Sequence, residues 1–370
     1  MRDLEIIKLA KNIVNYSCNL KSGEKVLIES ISASSDLVKA LVREVYAVGG
    51  LPFVHLQDES INREILMGTS KKHSALMADY MRPCMTNMDA YIGIRGGSNI
   101  YELSDVKREN IDFYNLNYSG PIHRDIRVEK KWVILKYPTA SMAEHAGVST
   151  EAFEKFYFDV CNLDYKKMTR ALKILKKIME RSDRVRIVAP ETDLTMSIRS
   201  KKAIICTGQS NIPDGEIYTA PTKESVNGTI LFNVPSVQNG VKHENIKLTF
   251  KDRKVVKAQS SHTTELNGVL DTDGGARYLG EFAFGVNPYI NMPIFDILFD
   301  EKMMCSIHMA LGSCYKDAWS GNISAIHWDL IQLHTKEAGG GKIYLDDVLI
   351  RENGEFVPDE LKVLNAENLK

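Results

Sequence analysis

With 370 residues the chain has room for two domains, each burying a full core. Its 47 basic and 48 acidic residues leave a net charge of −1, which excludes a basic field for nucleic acid and a polybasic membrane patch. No apolar run approaches the roughly 20 residues of a membrane span, and six scattered cysteines without a Cys-x-x-Cys pair speak for reduced thiols.

The opening residues carry no apolar signal-peptide core, so a cytoplasmic protein is expected. Val26-Leu27-Ile28 reads as a short buried strand. The next helix places Leu37, Leu41, Val45 and Val48 on one stripe and stops at Gly49-Gly50. Strands follow at Pro52–Leu56, at Ala90–Ile94 before Gly96-Gly97, and at Trp132–Leu135 before Tyr137-Pro138. Strands alternating with helices predict an α/β layer on a mostly parallel sheet. A helix from about Tyr165 to Met179 carries Met168, Leu172, Leu175 and Ile178 on one side, and Ser182-Asp183 breaks it.

From Arg184 the pattern changes to period two: Val185, Ile187, Ala189; Leu194, Met196, Ile198; Ile246, Leu248, Phe250. Asn353-Gly354 between apolar stretches is a hairpin signal. The expected architecture is therefore an N-terminal α/β domain, residues 1–183, and a C-terminal α+β domain, residues 184–370, rich in antiparallel strands. Gly339-Gly340-Gly341 lacks the Gly-Lys-Ser/Thr of a phosphate loop and reads as a connection between strands.

The most informative stretch is Ser324 to Gln332. As a strand it turns His327 and Asp329 to one face, about 7 Å apart, and Ile326, Trp328 and Leu330 to the other. An imidazole and a carboxylate on an apolar element need a partner, because burying polar groups unpaired is costly. The pair alone also fits a simple histidine–carboxylate hydrogen bond; its company favours a metal. Cys305–Leu311 places His308 with Ser306 and Ala310. Carboxylates end Leu298-Phe299-Asp300-Glu301, and others lie in Leu279-Gly280-Glu281-Phe282 and Pro213-Asp214-Gly215-Glu216. Oxygen and nitrogen donors without thiolate suit zinc, cobalt or manganese. Cys305 and Cys314 read as packing residues. His262, without a Gly-x-Ser-x-Gly elbow, does not make a hydrolase triad. His334 has the wrong strand parity, and His55, His73, His123, His145 and His243 lack partners at ligand spacing.

Pro213–Glu216, Leu279–Phe282, His308–Gly312 with Tyr315, and Ile326–Asp329 occur in an order that resembles the M29 family of metalloaminopeptidases, over essentially the whole chain. The resemblance implies a two-metal aminopeptidase with Glu216, Glu281, His308, His327 and Asp329 as metal ligands. Glu301 stands as a ligand, a general base or a surface carboxylate, because its spacing to His308 is longer than the family pattern. Tyr315 resembles a family tyrosine that bonds the oxyanion or substrate carbonyl. Asp214 and Asp300 read as turn or supporting residues.

In such a centre two divalent ions about 3.5–4 Å apart share a water whose pKa falls from about 15.7 to about 7, and this hydroxide attacks the peptide bond. The resemblance also implies a homodimer acting on short peptides. The segment from Tyr315 to Ser324 is short for the larger family members, which bears on substrate range. Two other functions fit the motifs: a mononuclear iron ring-cleaving dioxygenase of the dihydroxypyridine type, and a non-catalytic binding protein stabilised by metal.

Overall fold

The computed structural model describes residues 2–97, 99, 101–251 and 253–370. The chain forms two compact units: Met1–Asn162 with Gly208–Ile212, and Leu163–Thr207 with Pro213–Lys370. The expected boundary near residue 183 falls inside the second unit, just after the helix Tyr165–Arg181. That helix buries Met168, Leu172 and Leu175 and leaves most of its lysines outward, as its pattern predicted, with Met179 buried in place of the expected Ile178.

Unit 1 is built on a parallel sheet of β1 (Lys25–Ile31), β2 (Leu51–Gln57), β3 (Ala90–Arg95) and β4 (Lys131–Lys136), in the order β2-β1-β3-β4. The short strand Asn211–Ile212 returns to pair with β4. Central β1 is buried from Val26 to Ser30 because both faces are covered, and Val26, Leu27 and Ile28 form its apolar part. β2 lies at the edge and leaves Leu51, Phe53, Val54 and Leu56 exposed. On one face Leu27 and Tyr91 pack with Met81 and Met85 of the helix Lys71–Thr86. Each such fully buried side chain contributes about 1.5–3 kcal/mol.

A charged group sits inside this layer. Glu29 is 1% exposed, and its Oε1 accepts from the Tyr91 hydroxyl at 2.8 Å and from Arg95 at 3.0 Å. Its Oε2 faces His55 Nδ1 at 3.7 Å. A Cβ at residue 93 would meet the Tyr91 hydroxyl at 2.8 Å, so Gly93 lets that ring lie across the sheet and reach Glu29.

Among the described residues unit 2 contains two large antiparallel sheets and a two-stranded one, Ser236–Gln238 with Val241–His243. An eight-stranded sheet holds, among others, Arg184–Ala189, Thr192–Ser197, Asn227–Phe232 and Ile246–Lys251. The five-stranded sheet, in the order β8-β7-β6-β5 and then Ile204–Cys206, is formed by β5 (Glu216–Thr219), β6 (Phe282–Gly285), β7 (Ser306–Gly312) and β8 (His327–Leu333). Gln332 of β8 ties the two sheets: its Nε2 donates to Thr192 Oγ1 at 2.8 Å and to the Leu231 carbonyl at 2.7 Å. Phe282, Phe284, Ile307, Met309, Leu311, Trp328 and Leu330 are all buried and share one strand parity. The opposite parity carries Glu216, His308, His327 and Asp329.

Burial works to raise the pKa of Glu29, but His55, Arg95 and Tyr91 outweigh it and hold the carboxyl at about 2. A carboxylate held below its unfolded value stabilises the fold above about pH 4.3 and loses that contribution as pH falls toward 2. Over this interval the shift is worth about 3 kcal/mol. Glu29→Gln is expected to cost unit 1 about 3 kcal/mol at pH 7, by leaving Arg95 without its buried partner. Its stability should also fall less than the wild type's between pH 4.3 and 2. Denaturation followed by Trp132, the only tryptophan of unit 1, with Trp319 and Trp328 replaced by phenylalanine, measures both.

Candidate metal centre

Strand pairing, not sequence proximity, assembles the site. Ala310 pairs with Asp329, Gly312 with His327, Ala283 with His308, and Gly285 with Glu216. Paired residues point to the same side of a sheet, and so do residues two apart. Glu216, His308, His327 and Asp329 therefore share a face with Ala283, Gly285, Ala310 and Gly312. Glu281, immediately before β6, has the same parity. Small residues between long polar ones leave a hollow in which the polar ends meet.

The distances bear this out. His308 Nε2 lies 3.1 Å from Glu281 Oε1 and 3.3 Å from Glu216 Oε2. His327 Nε2 lies 3.6 Å from Asp329 Oδ2 and 3.9 Å from Glu281 Oε2. One donor atom from each of Glu216, Glu281 and His308 falls within 4.8 Å of the other two, and the same holds for Glu301, His308 and Asp329. His327 Nδ1 is 2.8 Å from the Ser313 carbonyl, which only accepts, so Nδ1 carries the proton and Nε2 faces the carboxylates with its lone pair when the ring is neutral.

The other expected residues take outer places. Glu301 follows the short helix Ile297–Asp300 and is partly buried at the cup. Tyr315 is 52% exposed, its ring 4.9 Å from that of His327 and 5.6 Å from that of Tyr218. Asp300 accepts from the Ile294 amide, and burial raises its carboxyl to about 7. Asp214 Oδ1 accepts from the Gly215 amide. His334 is buried against Gln332 Oε1, and His262 precedes the helix Thr263–Leu270.

Two side chains at the cup escape sequence reasoning. Lys302 sends its Nζ to Glu301 Oε1 at 2.5 Å and Glu216 Oε1 at 2.6 Å. Cys206, paired with Glu216, brings its sulfur to Asp214 and Glu216, and burial followed by those carboxylates pushes the thiol well above its usual range. Neither has a local signal: Lys302 follows the carboxylates that end an apolar run, and Cys206 is one of six scattered cysteines. Close approach of the 302–303 backbone to the sheet depends on Gly285, where a Cβ would stand 2.3 Å from the Met303 carbonyl oxygen.

The electrostatics are those of an acidic pocket short of positive charge. Burial disfavours ionised Glu216, but Lys302 and His308 outweigh it and hold the carboxyl below its usual range. Burial raises Glu301 to about 7 against the pull of Lys302. It also raises Asp329. Burial opposes a charge on His308, yet Glu281, Glu216 and Asp329 lift it to about 9. Glu216 Oε2, Glu281 Oε2 and Asp329 Oδ1 are buried and make no hydrogen bond. Such atoms need a cation, since a buried unpaired carboxylate oxygen is costly. The residues fit a divalent ion.

A buried set of carboxylates and imidazoles on one sheet face defines a metal-binding protein. The chain belongs to the M29 family, whose model, described as Thermophilic metalloprotease (M29), matches residues 2–356. Aminopeptidase PepS of Streptococcus thermophilus is 26% identical, with 90% of this chain and 88% of the relative covered. Wild-type AmpT from Thermus thermophilus superposes with a TM-score of 0.82 at 21% identity, over 96% of this chain and 99% of that one. The 2,5-dihydroxypyridine dioxygenase of Pseudomonas putida KT2440 shares the fold at a TM-score of 0.64 and 12% identity, over 97% and 99%.

Gly285→Ala is expected to push Lys302 and Met303 away from β6 and to destabilise unit 2 by about 1–3 kcal/mol. A melting temperature within a degree of wild type in thermal denaturation would show that the 302–303 backbone does not need that close approach.

Proposed function

We propose that the chain is a two-metal aminopeptidase that removes N-terminal residues from short peptides. The observation that carries this reading is the one-faced cup of Glu216, Glu281, His308, His327 and Asp329, with three buried carboxylate oxygens lacking hydrogen bonds, in a chain of the M29 family. These five residues would hold the ions, with Glu301 at the edge as a sixth donor or as the base. Zinc, cobalt or manganese bound there lowers the pKa of water and polarises a carbonyl.

The chain's own groups divide the remaining work. Glu301, at the edge of the cup with a donor atom within 4.8 Å of His308 and Asp329, would accept a proton from the attacking water and return it to the leaving amine. Tyr315, half exposed beside His327, is placed to donate to the substrate carbonyl oxygen as negative charge develops there. A carboxylate of the cup can bind the free α-amine, which restricts cleavage to the peptide's first bond. A mononuclear oxygenase needs only two histidines and one carboxylate. Here Glu216 and Glu281 crowd the same pocket, which favours hydrolysis with more than one ion.

Purified chain is expected to release amino acids from aminoacyl-amides, to stop on chelation, and to resume with added zinc, cobalt or manganese. Glu281→Ala and His327→Ala should each lower kcat/KM by at least about 100-fold. One bound iron with oxygen consumption and no amide hydrolysis would replace this reading with the dioxygenase. The homodimer and the cytoplasmic location implied by the resemblance belong to the same proposal. Sedimentation at micromolar concentration should give about twice 41.7 kDa.

A further inference from the structure

Among the described residues of the cup, Lys302 brings the lysine charge, and its side chain is 1% exposed. Lysine is almost never fully buried unless paired. Its ammonium lies 2.6 Å from Glu216 Oε1, 2.5 Å from Glu301 Oε1 and 3.8 Å from Asp214 Oδ1. Glu216 thus faces two ways, with Oε1 toward Lys302 and Oε2 toward His308 at 3.3 Å. One end of the cup holds Glu281, His308, His327 and Asp329 with Glu216 Oε2. The other holds Glu216 Oε1, Asp214 and the Cys206 sulfur near an ammonium, and Glu301 spans both, bonding Lys302 while a donor atom of it lies within 4.8 Å of His308 and Asp329.

The Lys302 backbone is fixed. Its amide donates to the Phe299 carbonyl at 3.0 Å and its carbonyl accepts from the Asn287 amide at 2.9 Å. Only the side chain is left to move. A dication sharing Glu216 Oε1 would meet an ammonium at hydrogen-bond distance from the same oxygen, and like charges so close in a buried site repel strongly.

We propose that Lys302 is a resident cation standing in the place of the second divalent ion, so that the chain takes one ion tightly at the Glu281–His308 end and a second only by displacing Lys302 from Glu216. This rests on the metal reading above and refines its stoichiometry. The consequence is two well-separated affinities in place of two similar ones, with the ammonium neutralising Glu216 and Glu301 whenever the second ion is absent.

The test is a titration of metal-free full-length protein with Co2+ against a competing chelator, followed by visible absorption, with ions per chain counted after gel filtration. The wild type is expected to keep one ion and to bind the second at least tenfold more weakly. Lys302→Met, which keeps the length and removes the charge, should keep two ions, its second affinity raised at least tenfold. If that variant folds poorly without metal, the stepwise titration of the wild type still decides. Two equal, tight equivalents in the wild type overturn the proposal while leaving the two-metal reading intact, and so do unchanged affinities in folded Lys302→Met. No uptake of any ion overturns both.

Discussion

Several carboxylates can share one buried hollow only if positive charge is buried with them. In water, like charges a few ångströms apart repel mildly; inside a protein the repulsion grows several-fold and the loss of hydration adds to it. Every property of the cup follows from that constraint. Glu301 and Asp329 are pushed toward their neutral forms, His308 toward its charged one, and Lys302 is held among oxygens far from bulk water. The rest of unit 2 is the frame that keeps these groups together despite their repulsion.

That frame is built by alternation. One parity of β5–β8 buries phenylalanine, leucine, isoleucine and tryptophan, and the other carries the candidate donors separated by glycine and alanine. Arg351, fully buried, donates to the carbonyls of Ser306 and Gly285 and so braces β6 and β7 beside the cup. Gln332 anchors β8 to the larger sheet. Rigid strands, rather than loops, therefore position His308, His327 and Asp329, which suits a centre whose donor geometry must be held closely.

Much of this is legible in the chain because a strand's period of two is a local property. His327 and Asp329 can be placed on one face from their spacing alone, and His308 with Ala310 likewise. The carboxylates at 216, 281 and 301 are visible as charges at the ends of apolar segments, but what brings the first two together is strand pairing that joins Glu216 to Gly285, far along the chain. Lys302 is invisible for another reason. In linear order it only follows two carboxylates at the end of an apolar run, and only the fold buries it. The unit boundary is obscured similarly. The stripe of Tyr165–Arg181 says that it packs, not against which sheet, and the two-residue strand Asn211–Ile212 is too short to carry a pattern.

The imidazole of His327 is aimed by the main-chain oxygen of Ser313 and not by another side chain. Backbone carbonyls survive any substitution that preserves the local path. Side chains of the nearby segment other than Tyr315, whose ring packs on His327, can thus vary while the imidazole keeps its orientation. The aim of the ring is in this way written in the course of the main chain and not in the identity of its neighbours.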